Sequence, residues 1–332
     1  MEGSLGFLKF SPIFRSVRWG GTRLAEYKNV SLPTDHVGES WEISGLPGQE
    51  TVVSEGPHAG KSVTALLEKH GTRILGERFF AKYGTFFPVL IKFIDAEDDL
   101  SIQVHPKGDE SFDDSDGKSA ILGKTELWYI ISSESGSYIY SGFNRPLTRQ
   151  KLESAMASNT LVNVLAKHFS GPGDMYYIPA GRIHSIGAGN LLLEIQQTSG
   201  VTYRLHDYNR KDVDGRHRQL HVDKAMDVID YSQADFGLAR PQMLIDCETW
   251  FKRTPYFTIT AVQVMDRVRL DIAPTESPRI LIAITGSGSL TDSAGNKTTI
   301  RQGETILVPA ETEWVDVEGR MTPLKLVTVM ME

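Results

Sequence analysis

The chain has 332 residues, of which 40% are hydrophobic, and a net charge of -7 with acidic and basic side chains mixed along its length. That is room for two ordinary domains with a well-buried core, and it lacks the basic stripe or tail by which nucleic acid is held. Cys247 is the only cysteine, which excludes an intramolecular disulfide and a multi-thiolate metal site.

Met1 to Phe10 carries no basic n-region followed by a long apolar core, so no secretory leader is expected. No apolar run approaches the ~18 residues that a membrane span requires, and a cytoplasmic protein without membrane partners follows. Val63 to His70 has helical spacing and meets Gly71, a candidate helix stop. Phe87–Ile94 and Leu100–Val104 read as neighbouring buried strands separated by the acidic turn Asp95–Asp99. Leu127–Ser132 and Ser137–Tyr140 continue in the same style. Thr148 to Phe169 then reads as a helical excursion capped by Thr148, with Leu152, Met156, Leu161, Val164 and Leu165 on its apolar face. Strands resume at Asp174–Ile178 and Asn190–Gln197, and a further helix is expected around Asp223–Ile229. Many short strands with Gly, Pro, Asn and Asp between them favour an all-β sandwich or barrel over a βαβ fold.

An internal echo organises the chain. Gly173-Asp174-Met175-Tyr176-Tyr177-Ile178-Pro179-Ala180 is matched by Gly303-Glu304-Thr305-Ile306-Leu307-Val308-Pro309-Ala310. Both open on Gly and an acid and close a β-run with Pro-Ala, and Gly286-Ser287-Gly288 adds a hairpin turn after Ile280–Ile284. Two related barrels, one per half, account for the repeat. The expected division is 1–235 and 236–332, with the boundary near Gln233 to Pro241. His184 follows the first copy where Trp314 follows the second, so the first half carries the chemistry.

Gln103 and His105 stand at i and i+2 of one strand and therefore point to the same face. Pro106 ends that strand, Glu126 opens the next clear one, and His184 follows the Pro179-Ala180-Gly181 turn. Two imidazoles, a carboxylate and an amide oxygen form a mixed nitrogen and oxygen set. Zinc accepts such ligands and keeps an open position in catalytic sites; manganese, iron or cobalt would also be accepted. Taken one at a time, each histidine is more simply a hydrogen-bonded side chain at a strand end.

The ordered stretches Trp19-Gly20-Gly21, Gly38-Glu39-Ser40-Trp41-Glu42-Ile43-Ser44, Leu90-Ile91-Lys92-Phe93-Ile94-Asp95-Ala96 and Leu100-Ser101-Ile102-Gln103-Val104-His105-Pro106 point further. With Gly123-Lys124-Thr125-Glu126-Leu127-Trp128-Tyr129, Ile178-Pro179-Ala180-Gly181-Arg182-Ile183-His184, Glu194-Ile195-Gln196-Gln197-Thr198-Ser199 and Thr202-Tyr203-Arg204-Leu205-His206-Asp207, the set resembles the type I phosphomannose isomerase family in its short bacterial form. The resemblance implies two cupin (jelly-roll) barrels with a few helical insertions, the second barrel free of metal. It also implies one zinc ion per chain on Gln103, His105, Glu126 and His184, and an active-site arginine at Arg204. Lys124 matches a pocket lysine. Family members commonly carry Asp after the Thr-Ser pair, where this chain has Gly200, so a carboxylate that would orient Arg204 is missing.

The implied reaction interconverts mannose 6-phosphate and fructose 6-phosphate through an enediol or enediolate. It needs a base, a stabiliser of the developing oxyanion and a grip on phosphate. Arg204 suits the charge, Lys124 and Glu194 both qualify as the base, Ser101 and Lys92 as phosphate contacts, and Trp19 and Trp41 as the floor of a sugar pocket or as core. A small sugar phosphate is then the partner, and the chain is expected to be a monomer or homodimer. Three readings compete: a cupin oxygenase, a sugar-sensing module that keeps the scaffold, and an isomerase of a related or free sugar.

Overall fold

A computed structural model describes residues 3–108, 123–212, 214–232, 236–320 and 322–332. Among the described residues the fold is mostly β, with four sheets arranged as two facing pairs. One pair joins a seven-stranded sheet, centred on Glu126–Ser133, Asn190–Gln197 and Val89–Ala96, to a five-stranded sheet containing Ile102–Val104, His184–Ile186 and Tyr203–His206. The other joins a seven-stranded sheet, containing Phe257–Val264, Leu324–Met331 and Arg279–Thr285, to the four-stranded sheet of Arg267–Asp271, Trp314–Gly319, Ser287–Asp292 and Lys297–Arg301. The N-terminal strand Leu8–Ser11 pairs with Thr305–Val308 in the second seven-stranded sheet. Of the expected boundary segment, Gln233, Ala234 and Asp235 lie outside the described residues.

Strand alternation builds the core in layers. Leu193 and Ile195 point away from the five-stranded sheet and pack with Ile280, Ile282, Phe257 and Val327 between the two large sheets. Leu192 points inward against Trp19, Ile94 and Trp128, while Leu281, Ala283 and Ile306 fill the second pair of sheets. The central strands are therefore buried on both faces, which is why Val89–Ala96 is apolar but for Lys92 and Asp95 and why Leu191, Leu192 and Leu193 run consecutively in Asn190–Gln197. Among the polar exceptions, Lys92 and Glu194 share the parity of Ile94 and Leu192, face inward and mark the site, whereas Asp95 faces the other way and holds Arg23.

Two expectations need correction. The helix beginning at Val63 does not stop at Gly71 but runs, kinked at His70, to Leu75, and Gly76 ends it at φ +81°. Gly71 is inside because a Cβ there would stand 2.0 Å from the Phe80 ring: close approach of the Glu77–Tyr83 helix, not a left-handed turn, requires it. Thr148–Phe169 is helical only over Arg149–Ala157. Asn159 at φ +56° breaks it, a short 3₁₀ turn follows at Leu161–Val164, and Leu165–Phe169 is a strand paired with Tyr138–Phe143. Leu161, Val164 and Leu165 are apolar because they bury against Leu152 and Ile183, not because they share a helix face.

The Val63–Leu75 helix is capped by Ser62, whose side chain accepts from the Ala65 amide at 3.1 Å. Ser62→Ala is expected to cost about 1 kcal/mol, read as a lower denaturant midpoint at unchanged slope, with turnover unaltered.

The echo is visible in the hydrogen bonds. Gly173 N–H donates to Ile130 O at 2.9 Å and Gly303 N–H to Ala283 O at 2.8 Å, while Arg182 N–H to Pro179 O and Thr312 N–H to Pro309 O are both 3.1 Å. Register then aligns the halves. Glu126 lies opposite Ile178 and Arg279 opposite Val308; His184 lies opposite Gln103 and Trp314 opposite Asp271. Where the first half places Glu126 and His184, the second places Arg279, paired with Glu248 at 2.6 Å, and Trp314, covered by Arg269 at 3.7 Å. Among the described residues no helix is long and apolar enough to cross a membrane.

Candidate metal centre and substrate cavity

Two rows of polar side chains face each other across the first pair of sheets. In the five-stranded sheet, register sets Arg204, Gln103, His184 and Ser141 side by side on adjacent strands. In the seven-stranded sheet, Trp41, Lys92, Glu194, Trp128 and Tyr176 form the opposing row. Residues directly opposite on paired strands share a face, so each row is contiguous. The rows meet where the Trp128 ring sits edge-on to His184, centroids 5.4 Å apart. The Pro179–Gly181 turn aims His184: Gly181, at φ +87°, donates its amide to His105 O at 2.8 Å, which ties the two histidine segments together.

His105, Glu126 and His184 are at most 1% exposed, and one ligand atom from each lies within 4.8 Å of the others. His105 Nε2 is 3.3 Å from Glu126 Oε1, and His184 Nε2 is 3.8 Å from Oε2. His105 Nδ1 donates to Val201 O at 3.0 Å and His184 Nδ1 to Arg182 O at 2.8 Å. A carbonyl can only accept, so both Nδ1 atoms carry the proton and both Nε2 lone pairs point to the centre. Burial and the nearby Lys124 ammonium hold the His105 imidazole neutral, with its pKa pushed down to about 3, and burial also lowers His184. Glu126 keeps its charge despite burial because the Lys124 ammonium, 2.6 Å away, holds its carboxyl well below the usual range. Two neutral imidazole lone pairs and an ionised carboxylate, all buried, are a fitting donor set for a divalent metal ion. It is the one such group of His, Cys, Asp or Glu among the described residues.

Gln103 stands beside this cluster with its Nε2 3.3 Å from His184 Nε2 and its Oε1 accepting from Ser101 Oγ at 3.2 Å. Serving as an oxygen ligand requires the amide to turn over, which exchanges the Ser101 bond for one in which the hydroxyl accepts.

A cavity of about 370 Å³ opens above the cluster, and Lys124, Gln103, Glu194, Arg204, Ser101 and Trp19 all border it. Lys124 Nζ is 2.6 Å from Glu126 Oε1 and 3.3 Å from His105 Nε2. Glu194 accepts from Trp128 Nε1 at 3.0 Å and pairs with Lys92 at 3.0 Å. Burial and the neighbouring Glu126 charge raise its pKa against the pull of Lys92 and Lys124. Lys92 is further held by Glu39 at 3.5 Å, so its ammonium is committed between two carboxylates. Arg204 Nε donates to Ser101 Oγ at 3.2 Å and Nη1 to Gln219 O at 2.9 Å. Asp207 does not pair with Arg204; it takes Arg210 and Arg218 instead. Gly200 also borders the cavity, and a Cβ there would touch only Leu46, at 3.5 Å, so nothing in the backbone forbids a side chain.

Of the eleven side chains expected from the sequence, Trp19, Trp41, Lys92, Ser101, Gln103, Lys124, Glu194 and Arg204 border one cavity, and His105, Glu126 and His184 form the cluster beside it. Trp19 contributes one face and is otherwise core, 3% exposed among Ile94 and Trp128. Sequence reasoning gave no role to Glu39, Trp128 or Arg218. The alternation of Glu39 and Trp41 in one strand was the available signal for the first; Trp128 and Arg218 are recognisable only once their partners are placed.

A mostly-β, cupin-like scaffold with a buried two-histidine, one-carboxylate cluster under a polar cavity defines the class of protein. Residues 7–120 match the model of the phosphomannose isomerase type I catalytic domain. The chain is 38% identical over 223 residues to the mannose-6-phosphate isomerase ManA of Bacillus subtilis (strain 168), covering 67% of this chain and 68% of the relative. It is 32% identical over 316 residues to the putative mannose-6-phosphate isomerase YvyI of the same organism, covering 94% and 96%. The crystal structure of the mannose 6-phosphate isomerase from Bacillus subtilis superposes with a TM-score of 0.82 at 29% identity, over 98% of this chain and 99% of that one. The chain belongs to the type I phosphomannose isomerase family.

Proposed function

We propose that this chain interconverts mannose 6-phosphate and fructose 6-phosphate with one zinc ion held by Gln103, His105, Glu126 and His184. The observation that carries the reading is the buried His105–Glu126–His184 cluster beneath a cavity bordered by Arg204, Lys124 and Glu194, in a member of this family. Zinc bound there would supply a Lewis acid for the sugar's carbonyl oxygen.

The side chains divide the remaining work. Glu194, a carboxylate whose pKa is raised by burial, takes the proton from C2 of the aldose and returns one to C1, while a proton passes from O2 to O1. The enediolate between these steps carries negative charge on oxygen, which the Arg204 guanidinium stabilises. Lys124, fixed against Glu126, acts as a charge rather than as the base. Trp128 holds the Glu194 carboxylate by its indole N–H. The same reading assigns 1–235 to a catalytic barrel and 236–332 to a barrel without metal ligands, supported by the placement of Arg279 and Trp314. It also places the enzyme in the cytoplasm, as a monomer or homodimer.

The test is isomerisation of mannose 6-phosphate by purified protein, followed as fructose 6-phosphate, before and after chelation. Turnover should vanish with chelator and return with added zinc. No turnover by folded, metal-loaded protein would overturn the substrate and reaction together.

A further inference from the structure

The geometry points to Arg218 as the residue that holds the phosphate of the substrate and so sets the preference for phosphorylated over free mannose; this rests on the function proposed above. Arg218 borders the same cavity as Arg204, and its direction is fixed from behind. Its Nε donates to Asp207 Oδ2 at 2.8 Å and its Nη2 to Oδ1 at 2.5 Å. Asp207, 6% exposed, is held in turn by Arg210, which is anchored to Asp98 at 2.9 Å. That fork leaves Arg218 Nη1 with no hydrogen-bond partner among the described residues. A guanidinium held by a carboxylate on one edge and open on the other is pre-organised for a second oxyanion.

The charges around it leave room for one. Asp207 is shared by Arg210 and Arg218, and Arg204 has no carboxylate partner among the described residues, with its Nη2 unbonded. Burial and the nearby Arg218 both disfavour the Arg204 charge, and Arg218 acts on it more strongly than either Asp207 or Asp212, which borders the cavity as Glu39 and Glu194 do. Two guanidiniums that border one cavity and repel each other are relieved by a dianion bound to both. The two lysines on the same cavity are poorer candidates. Lys92 is held between Glu194 and Glu39, and Lys124 by Glu126. Arg204 reaches back to Gln103 through Ser101, whereas Arg218 has no hydrogen bond or ion pair to the cluster. The reacting carbons then lie on the Arg204 side nearest the cluster, and the phosphate on the Arg218 side.

The test is calorimetric binding of inorganic phosphate to the folded, metal-loaded protein, which needs no turnover. Arg218→Gln is expected to weaken phosphate binding about tenfold or more and to raise KM for mannose 6-phosphate by a similar factor, with kcat nearly unchanged. The double variant Arg218→Gln with Asp207→Asn, which removes both charges of the pair, guards against misfolding and should show the same loss. Phosphate affinity within twofold of wild type in either variant, or no phosphate binding by the wild type, overturns the inference. If phosphate binds through Arg218 but mannose 6-phosphate is not isomerised, the inference stands and the proposed reaction falls.

Discussion

Glu126→Gln and His184→Ala are each expected to leave protein that retains almost no metal and turns over at least about 10³-fold more slowly than wild type. Glu126 is the only carboxylate in the cluster, so glutamine removes the negative charge that attracts a divalent ion while keeping the side chain's shape. It also strips Lys124 of the carboxylate 2.6 Å from its ammonium. A buried pair broken from one side costs about 3 kcal/mol or more, discounted here because Lys124 can turn toward the water of the cavity it borders. His184→Ala removes one of two neutral Nε2 donors without disturbing that pair, so the two variants separate loss of ligand from loss of charge. Metal content of the purified variants, measured beside their unfolding midpoints and rates, decides the matter. A Glu126→Gln protein that keeps its metal and its rate would sink the assigned centre.

How much of this was legible in the sequence follows from what alternation can and cannot encode. Asn190–Gln197 is a strand with the expected boundaries, opening straight after the turn at Gly189. The Gln103-x-His105 pair and Glu126 at a strand head were equally readable, since period two and strand ends are local properties. Apolar spacing misled at Leu161–Leu165, where a 3₁₀ turn and an edge strand bury the same residues that a helix would. It also misled at Gly71, whose role depends on Phe80 from the next helix. The site behaved in the same way. Side chains that act alone, such as Arg204, could be singled out by family resemblance. Those defined by a partner from another strand could not: nothing near Trp128 in the sequence says that its indole will meet Glu194, or near Arg218 that Asp207 will hold it. Register across four strands, which no single segment carries, produces the row from Trp41 to Trp128.

Arg204→Ala should give the opposite pattern to the cluster variants, with metal content near wild type and kcat lower by about 10²- to 10³-fold. Arg204 touches no member of the His105–Glu126–His184 cluster; its link runs through Ser101 to the Gln103 amide oxygen. Removing it frees the Ser101 hydroxyl, which Gln103 still engages, so the metal donors keep their places. What is lost is a permanent cation, half-buried and without a carboxylate partner among the described residues, where the proposed reaction would develop charge on the substrate's oxygens. An arginine already neutralised by an ion pair would gain little from that charge, and this one is not. Arg204→Lys restores the charge but not the fork that spans Ser101 and Gln219 O, so recovery should be partial. The contrast with Arg218 is the discriminating point: there the loss falls on KM and phosphate affinity, here on kcat at saturating substrate. Near-normal kcat in metal-loaded Arg204→Ala would remove the oxyanion role from this residue and move it to Lys124, the other cation beside the centre.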